Sequence, residues 1–262
     1  MRFVDPDRFQ KIVLHARRKN PFYAKWIPEN GPVPILTRRI LHENNELILN
    51  GHEPNGKTSG STAIPVRVFQ PPIHNEMDLR DIAAMVKMMG GFLPRTLVIY
   101  PRGENGPADL LDIMTPLDLQ ISELKKNYAT RLATSLVTYP SNAVLLAQEI
   151  SRRGDDFRFI KRIGLLSESI DPSQIATIKQ GFPQARVWSS YSAVELGLIA
   201  FQCPFEPEFH HLSTHKLGVE ILDDDGRDCE VGQVGRIVLT DYFNTGMPLI
   251  RYELGDLASF GV

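Results

Sequence analysis

The sequence predicts an α/β protein, a mainly parallel sheet flanked by helices with a smaller β-rich region toward the C-terminal end. Three observations carry this. Apolar, β-branched runs at Thr96–Tyr100, Ser135–Tyr139, Arg158–Leu166 and Ala185–Trp188 alternate with segments of helical periodicity. Those segments open as helices do, on Pro140 with Ser141 as cap and on Pro172 behind Asp171. Beyond about residue 205 the helical pattern gives way to Val219–Arg227, a strand and turn, followed by Gly232–Thr240. Strands alternating with helices imply right-handed βαβ units and a sheet covered on both faces.

The elements follow in order. Pro6 to about Arg18 reads as a helix, with Asp5 as its N-cap and proline at the first helical position. Residues 21–34 are proline-rich and read as irregular; Ile35–Arg39 then leads into a short helix capped by Thr37. Val66–Phe69 alternates as a strand, and Asn75 to Met89 is helical up to Gly90-Gly91, a glycine stop. Its Met77, Ile82, Met85 and Met89 fall at helical spacing and are assigned to the core. The helix after Pro140 runs to about Arg153, and the one after Asp171 ends at Gly181.

At 262 residues the chain can bury a substantial core, as one large domain or two small ones. Its net charge of −2 gives no bulk electrostatic reason to expect nucleic acid or an anionic membrane as partner. Two cysteines, Cys203 and Cys229, do not make a disulfide framework. The N-terminus has no apolar signal region and no segment reaches membrane-spanning length. A soluble, cytoplasmic protein is expected.

The chemistry concentrates in Gly51–Phe69. Thr58-Ser59-Gly60-Ser61-Thr62 is a run of small residues, all but the glycine bearing hydroxyls. Glycine lets successive N–H groups face one point, and the hydroxyls add donors, which is the chemistry of a phosphate cradle. Gly51, Gly56, Lys57 and Thr58 also satisfy the P-loop pattern, which requires a helix starting at the lysine. Gly60 and Pro65 would break such a helix. The other reading is a hydroxyl-rich loop between two strands, and an ordinary Ser/Thr/Gly turn stays open beside both.

In a parallel sheet ligands sit beyond the carboxyl ends of the strands. Ser167-Glu168-Ser169 follows one predicted strand, and Ser189-Ser190-Tyr191-Ser192-Ala193-Val194-Glu195 follows another. An aromatic there suits a purine face. A carboxylate four residues on suits a magnesium ion bridging phosphate oxygens. A loop tyrosine and a helix N-terminal glutamate would account for the same residues without a ligand.

These segments together resemble the adenylate-forming (acyl-CoA synthetase, adenylation-domain, luciferase) superfamily. TSGST-x-x-P resembles its phosphate loop, and YSAVELG its Y-G-x-[TS]-E-x-G motif. VEILDDDG, GQVGRIVLT and MPLIRYELGDL resemble the phenylacetate-CoA ligase and coenzyme F390 synthetase branch. The resemblance runs from about Phe22 to Leu257 with the motifs in order. It implies a single N-terminal-type domain over 1–262, with a nucleotide-binding core at about 55–200 and the β-rich part at about 205–262. It further implies that Thr58, Ser59, Gly60, Ser61 and Thr62 grip the β- and γ-phosphates of ATP, with Thr58, Thr62 and Glu195 catalytic. Tyr191 would stack on adenine, with Ser167, Glu168, Ser169, Ser190 and Ser192 around it. Glu195 would ligate Mg2+, Asp256 would bind the ribose hydroxyls, and Arg251 would pair structurally with a carboxylate. The reaction implied is attack of a small, aryl-type carboxylic acid on the α-phosphate, then transfer to CoA, a carrier-protein thiol or an amine. A homodimer is compatible with the family.

Two positions depart from the pattern: Ala63 replaces the last glycine of the phosphate loop, and Val194 replaces a Thr or Ser that contacts the adenylate phosphate. The family continues past Asp256 into a hinge and a small lysine-bearing domain, and the expectation is a chain without it. A catalytically degenerate adenylate binder and a P-loop NTPase are the rival readings. A zinc site from Cys203, His210, His211, His215 and Cys229 lacks ligand spacing, and Asp223–Gly226 is a polar turn before it is a calcium loop. The acid stays unnamed, because no motif falls in the Leu93–Thr138 region.

Overall fold

The computed structural model describes residues 2–58, 65–88, 95–101 and 110–261. The chain forms two compact units. One comprises residues 1–82, 193–199 and 212–262, the other residues 83–192 and 200–211.

The second unit is built on the predicted parallel sheet. Strands Leu111–Asp112, Thr96–Tyr100, Ser135–Thr138, Arg162–Leu165 and Arg186–Ala193 lie side by side in that order, all parallel. Helices Leu117–Arg131, Pro140–Arg153 and Pro172–Gly181 make the crossovers. The Leu117–Arg131 helix carries the chain from the Leu111–Asp112 strand past Thr96–Tyr100 to Ser135–Thr138, and the next two crossovers step on in the same direction, so right-handed connections place these three helices on one face. Strand alternation alone had suggested cover on both. The core between sheet and helices is aliphatic and aromatic: Ile99, Leu136, Ile163 and Leu165 from strands, Leu124, Leu146, Ile150, Ile178 and Phe182 from helices.

Most helix starts follow local sequence. Asp171 accepts from Ser173 and Gln174 N–H, and Gln174 answers the Asp171 N–H, completing a capping box. Ser141 is not the cap expected of it. Tyr139 occupies that position without a side-chain bond, and the Glu168 carboxylate reaches across to accept from the Ser141 N–H and hydroxyl, both at 2.9 Å. The Leu117–Arg131 helix was not anticipated. It buries Gln120 with Ile121 and Leu124, so its inner face carries an amide that blurs the apolar pattern.

The first unit holds an antiparallel meander, Leu217–Leu222, Gly235–Asp241 and Tyr252–Ala258, edged by Arg2–Phe3 and, in parallel, by Leu36–Thr37. The helix capped by Asp5 runs Pro6–Lys19, and Thr37 caps Arg38–Glu43 as expected. The proline-rich stretch is partly helical, not irregular. Asn20 accepts from Phe22 and Tyr23 N–H and starts a helix over Pro21–Trp26, with proline at its first position. Tyr23 from that turn is wholly buried and donates to the Pro248 carbonyl. Asp223–Gly226 closes as a tight turn, the Gly226 N–H donating to the Asp223 carbonyl at 3.1 Å with Gly226 at φ 77°.

Gly181 allows its helix to touch the preceding one. A Cβ there would lie 2.5 Å from Ala147 Cα and 2.6 Å from its carbonyl oxygen, both backbone atoms that cannot swing aside. Gly181→Ala is therefore predicted to destabilise the protein by about 1–3 kcal/mol through overpacking, read as a lowered urea midpoint with an unchanged m-value.

Candidate functional site

In the first unit the strands on either side of the hydroxyl-rich segment pair with each other. Gly56–Lys57 pairs antiparallel with Arg67–Val68. Thr58 closes the ladder: its N–H donates to the Val66 carbonyl and its hydroxyl oxygen accepts from the Val66 N–H, both at 3.0 Å. Lys57 is therefore an exposed strand residue, where a P-loop would begin a helix. Asn45 grips the outgoing strand from the side, its amide donating to the Arg67 carbonyl and accepting from the Arg67 N–H, each at 2.9 Å. Thr58 is buried at the loop base, while Ser59, Gly60, Ser61, Thr62 and the departing Ala63 lie outside the described residues.

Glu195 occupies a tight turn that follows the Arg186–Ala193 strand, closed by the Leu196 N–H donating to the Ala193 carbonyl at 3.1 Å. It is not on a helix N-terminus. Only 3% of its surface is exposed, and the Tyr252 hydroxyl donates to its Oε1 at 3.0 Å. Burial, and next the Glu195 charge, push the Tyr252 phenol well above the ordinary tyrosine value, so it stays a donor throughout the working pH range. Val194, beside it, is exposed, and its carbonyl accepts from the Gln70 side chain. Asp256 stands exposed on the Tyr252–Ala258 strand. Arg251 pairs with Glu220 at 3.0 Å and donates to the Val33 carbonyl at 2.7 Å, the structural role expected of it.

In the second unit the candidates lie toward the carboxyl ends of parallel strands, where open α/β sheets receive ligands. Tyr191 and its neighbours Ser190 and Ser192 lie within the Arg186–Ala193 strand, which continues past the predicted end at Trp188. The Ser190 hydroxyl is buried without a hydrogen-bond partner among the described residues. Ser167 takes φ 66°, an uncommon conformation for a non-glycine residue. Its hydroxyl lies 3.0 Å from the Tyr100 hydroxyl. Glu168 is spent on the helix start described above, and Ser169 is exposed. Tyr100 and Tyr139 pack edge to face here with ring centroids 4.9 Å apart. Burial first, then the neighbouring Tyr100 and Glu168, push the Tyr139 phenol up. The sequence reading passed over these tyrosines, although each ends or follows a predicted strand.

Among the described residues no group of three or more His, Cys, Asp and Glu side chains could hold a metal ion, and no helix is long and apolar enough to cross a membrane.

No family model matches the chain. A phenylacetate-coenzyme A ligase of Thermus thermophilus is 21% identical over 291 aligned positions, 98% of this chain and 65% of the relative. The chain thus spans about two thirds of that protein's length. A crystal structure of 2-hydroxyisobutyryl-CoA ligase, in an open conformation with its acyl-adenylate and CoA, superimposes with a TM-score of 0.78. It is 17% identical and covers 97% of this chain and 69% of that one. This is the adenylate-forming fold. More distant examples of it include a long-chain-fatty-acid-CoA ligase from Archaeoglobus fulgidus, TM-score 0.56, 13% identical over 78% of this chain and 48% of its own. An amide bond synthetase from Marinactinospora thermotolerans gives 0.52, 20% identical over 71% and 40%.

Because Tyr252 stays protonated in the folded state above its unfolded pKa of about 10, folding stability is present below that pH and lost as pH rises through it. Tyr252→Phe is predicted to cost about 1–3 kcal/mol at pH 7 by unpairing a buried carboxylate. Between pH 10 and 11 the variant should then lose about 1 kcal/mol less than wild type. Urea titrations across that range check both.

Proposed function

We propose that the protein uses ATP to activate a small carboxylic acid as its acyl-adenylate. A carboxylate oxygen of the acid attacks the α-phosphorus, the bond to the β-phosphate bridging oxygen breaks, and pyrophosphate leaves. The observation that carries this is Glu195: a carboxylate nearly withdrawn from water, with one oxygen held by Tyr252, four residues after Tyr191 in a chain with the adenylate-forming fold.

A magnesium ion takes one or two carboxylates and completes its shell with water and substrate phosphates. Glu195 fits that demand as a nearly buried carboxylate, with Tyr252 donating to Oε1, one of its two oxygens. When bound, the ion neutralises phosphate charge. The chain's own residues position the reactants: the hydroxyls of Thr58, Ser59, Ser61 and Thr62 and the amides of residues 59–62 grip phosphate oxygens, and Asp256 accepts from the ribose diol. Tyr191 stacks on adenine with Ser167, Ser169, Ser190 and Ser192 near its edge. Glu168 belongs with them through its loop, its carboxylate being engaged by Ser141. Positioning and electrostatic stabilisation suffice for this class of transfer, without a protein nucleophile.

The similarity to a phenylacetate ligase favours an aromatic acid. CoA ligases and an amide bond synthetase among the relatives support a thiol or an amine as acceptor. Val194, an apolar side chain at a position the superfamily gives to a hydroxyl, favours a second reading, an adenylate binder that no longer catalyses.

Acid-dependent exchange of labelled pyrophosphate into ATP separates the readings. Exchange with aryl acids, lowered at least ~100-fold by Glu195→Gln and largely retained in Lys57→Ala, supports the enzyme. Tight AMP binding without exchange for any acid supports the binder. Acid-independent phosphate release abolished by Lys57→Ala would overturn both.

A further inference from the structure

Lys216 is the most deeply buried cation among the described residues, with no exposed side-chain surface. Its ammonium touches Asp78 Oδ1 and donates to the Leu196 carbonyl at 2.9 Å. The other Asp78 oxygen, Oδ2, accepts from the Leu198 N–H at 3.2 Å. Between those two anchored residues Gly197 adopts φ 68°, and a Cβ there would come within 2.6 Å of Asp78 Oδ2 and 3.2 Å of the Lys216 ammonium. The ion pair thus holds the backbone immediately after Glu195 on both sides of a left-handed residue that leaves no room for a side chain. Ala193 closes the turn from the other end through the Leu196 N–H.

We propose that Asp78 and Lys216 are positioning residues for Glu195, fixing the turn so that its carboxylate is presented to a divalent cation and the phosphates it accompanies. The inference rests on the metal-ligand role given to Glu195 above and adds a pair that no motif marks. A fully buried lysine paired with a partly buried aspartate is a costly way to stabilise a turn. Beyond each other, they bond to the backbone at residues 196 and 198, as expected of groups that act by orienting another.

The test uses Mn2+ as the probe with ATP present, free Mn2+ being read by electron paramagnetic resonance on the whole chain. Lys216→Met is expected to weaken Mn2+ binding about 10-fold, the usual scale for losing a group that orients a metal ligand. In a Glu195→Gln background the same substitution should add nothing, because its effect passes through Glu195. Asp78→Asn, which keeps an oxygen for the Leu198 N–H but removes the charge facing Lys216, should act in the same direction and replaces Lys216→Met if that variant does not fold. Equal weakening in both backgrounds, or loss of folding in both Lys216→Met and Asp78→Asn, would reduce the pair to a structural role and overturn the proposal. So would unchanged Mn2+ binding in Lys216→Met alongside weakened binding in Glu195→Gln. Unchanged binding in Glu195→Gln itself would instead overturn the metal role of Glu195, and the positioning role with it.

Discussion

An ammonium group shut away from water is tolerated only when a countercharge and further acceptors surround it, and Lys216 is placed accordingly. Its partner Asp78 belongs to a series on one helix. His74, Asp78 and Asp81 fall four and three residues apart on the Ile73–Met88 helix and so share a face. Each meets a different segment of the first unit. His74 Nε2 lies 2.8 Å from Asp241 Oδ2, and Asp81 accepts from the Ser213 hydroxyl at 2.6 Å. Asp78 takes Lys216 and the Leu198 N–H. Apolar packing has no directional preference, whereas these polar contacts favour one rotation and one register of the helix against the segments it meets. The turn that carries Glu195 inherits its definition from them.

The parallel sheet of the second unit obeys a different constraint. Its strands pair in parallel from Thr96–Tyr100 to Arg186–Ala193, which puts their carboxyl ends in one row. Tyr100, Tyr139, Ser167 and Tyr191 therefore come from distant parts of the sequence yet belong to the same edge of the sheet. Glu168 shows how that edge is kept in order: a loop carboxylate caps the helix of the preceding crossover, tying the end of one strand to the start of the neighbouring helix.

Where structure was decided locally, the sequence showed it. Asp5, Thr37 and Asp171 cap helices because their oxygens meet N–H groups two or three residues on, and strand composition located the Thr96–Tyr100 and Ser135–Thr138 strands. Non-local choices were hidden. The Arg186–Ala193 strand outruns its apolar run because it is held in a sheet whose strands the local pattern does not name. The Pro21–Trp26 helix was masked by prolines whose first member is a helix starter once Asn20 caps it. For the site, motif residues were visible as chemical types, but the Tyr252–Glu195 bond and the roles of Asp78 and Lys216 were not. Each depends on contacts distant in sequence.

The clasp of Asn45 on Arg67 has a consequence for how this protein can diversify. Two amide bonds from a separate helix, with the Thr58–Val66 closure, fasten both paired strands independently of whatever lies between them. Strand pairing at Gly56–Thr58 and Val66–Val68 therefore draws on bonds made by Asn45, Thr58 and Val66 themselves, so a substitution at Ala63 removes none of them.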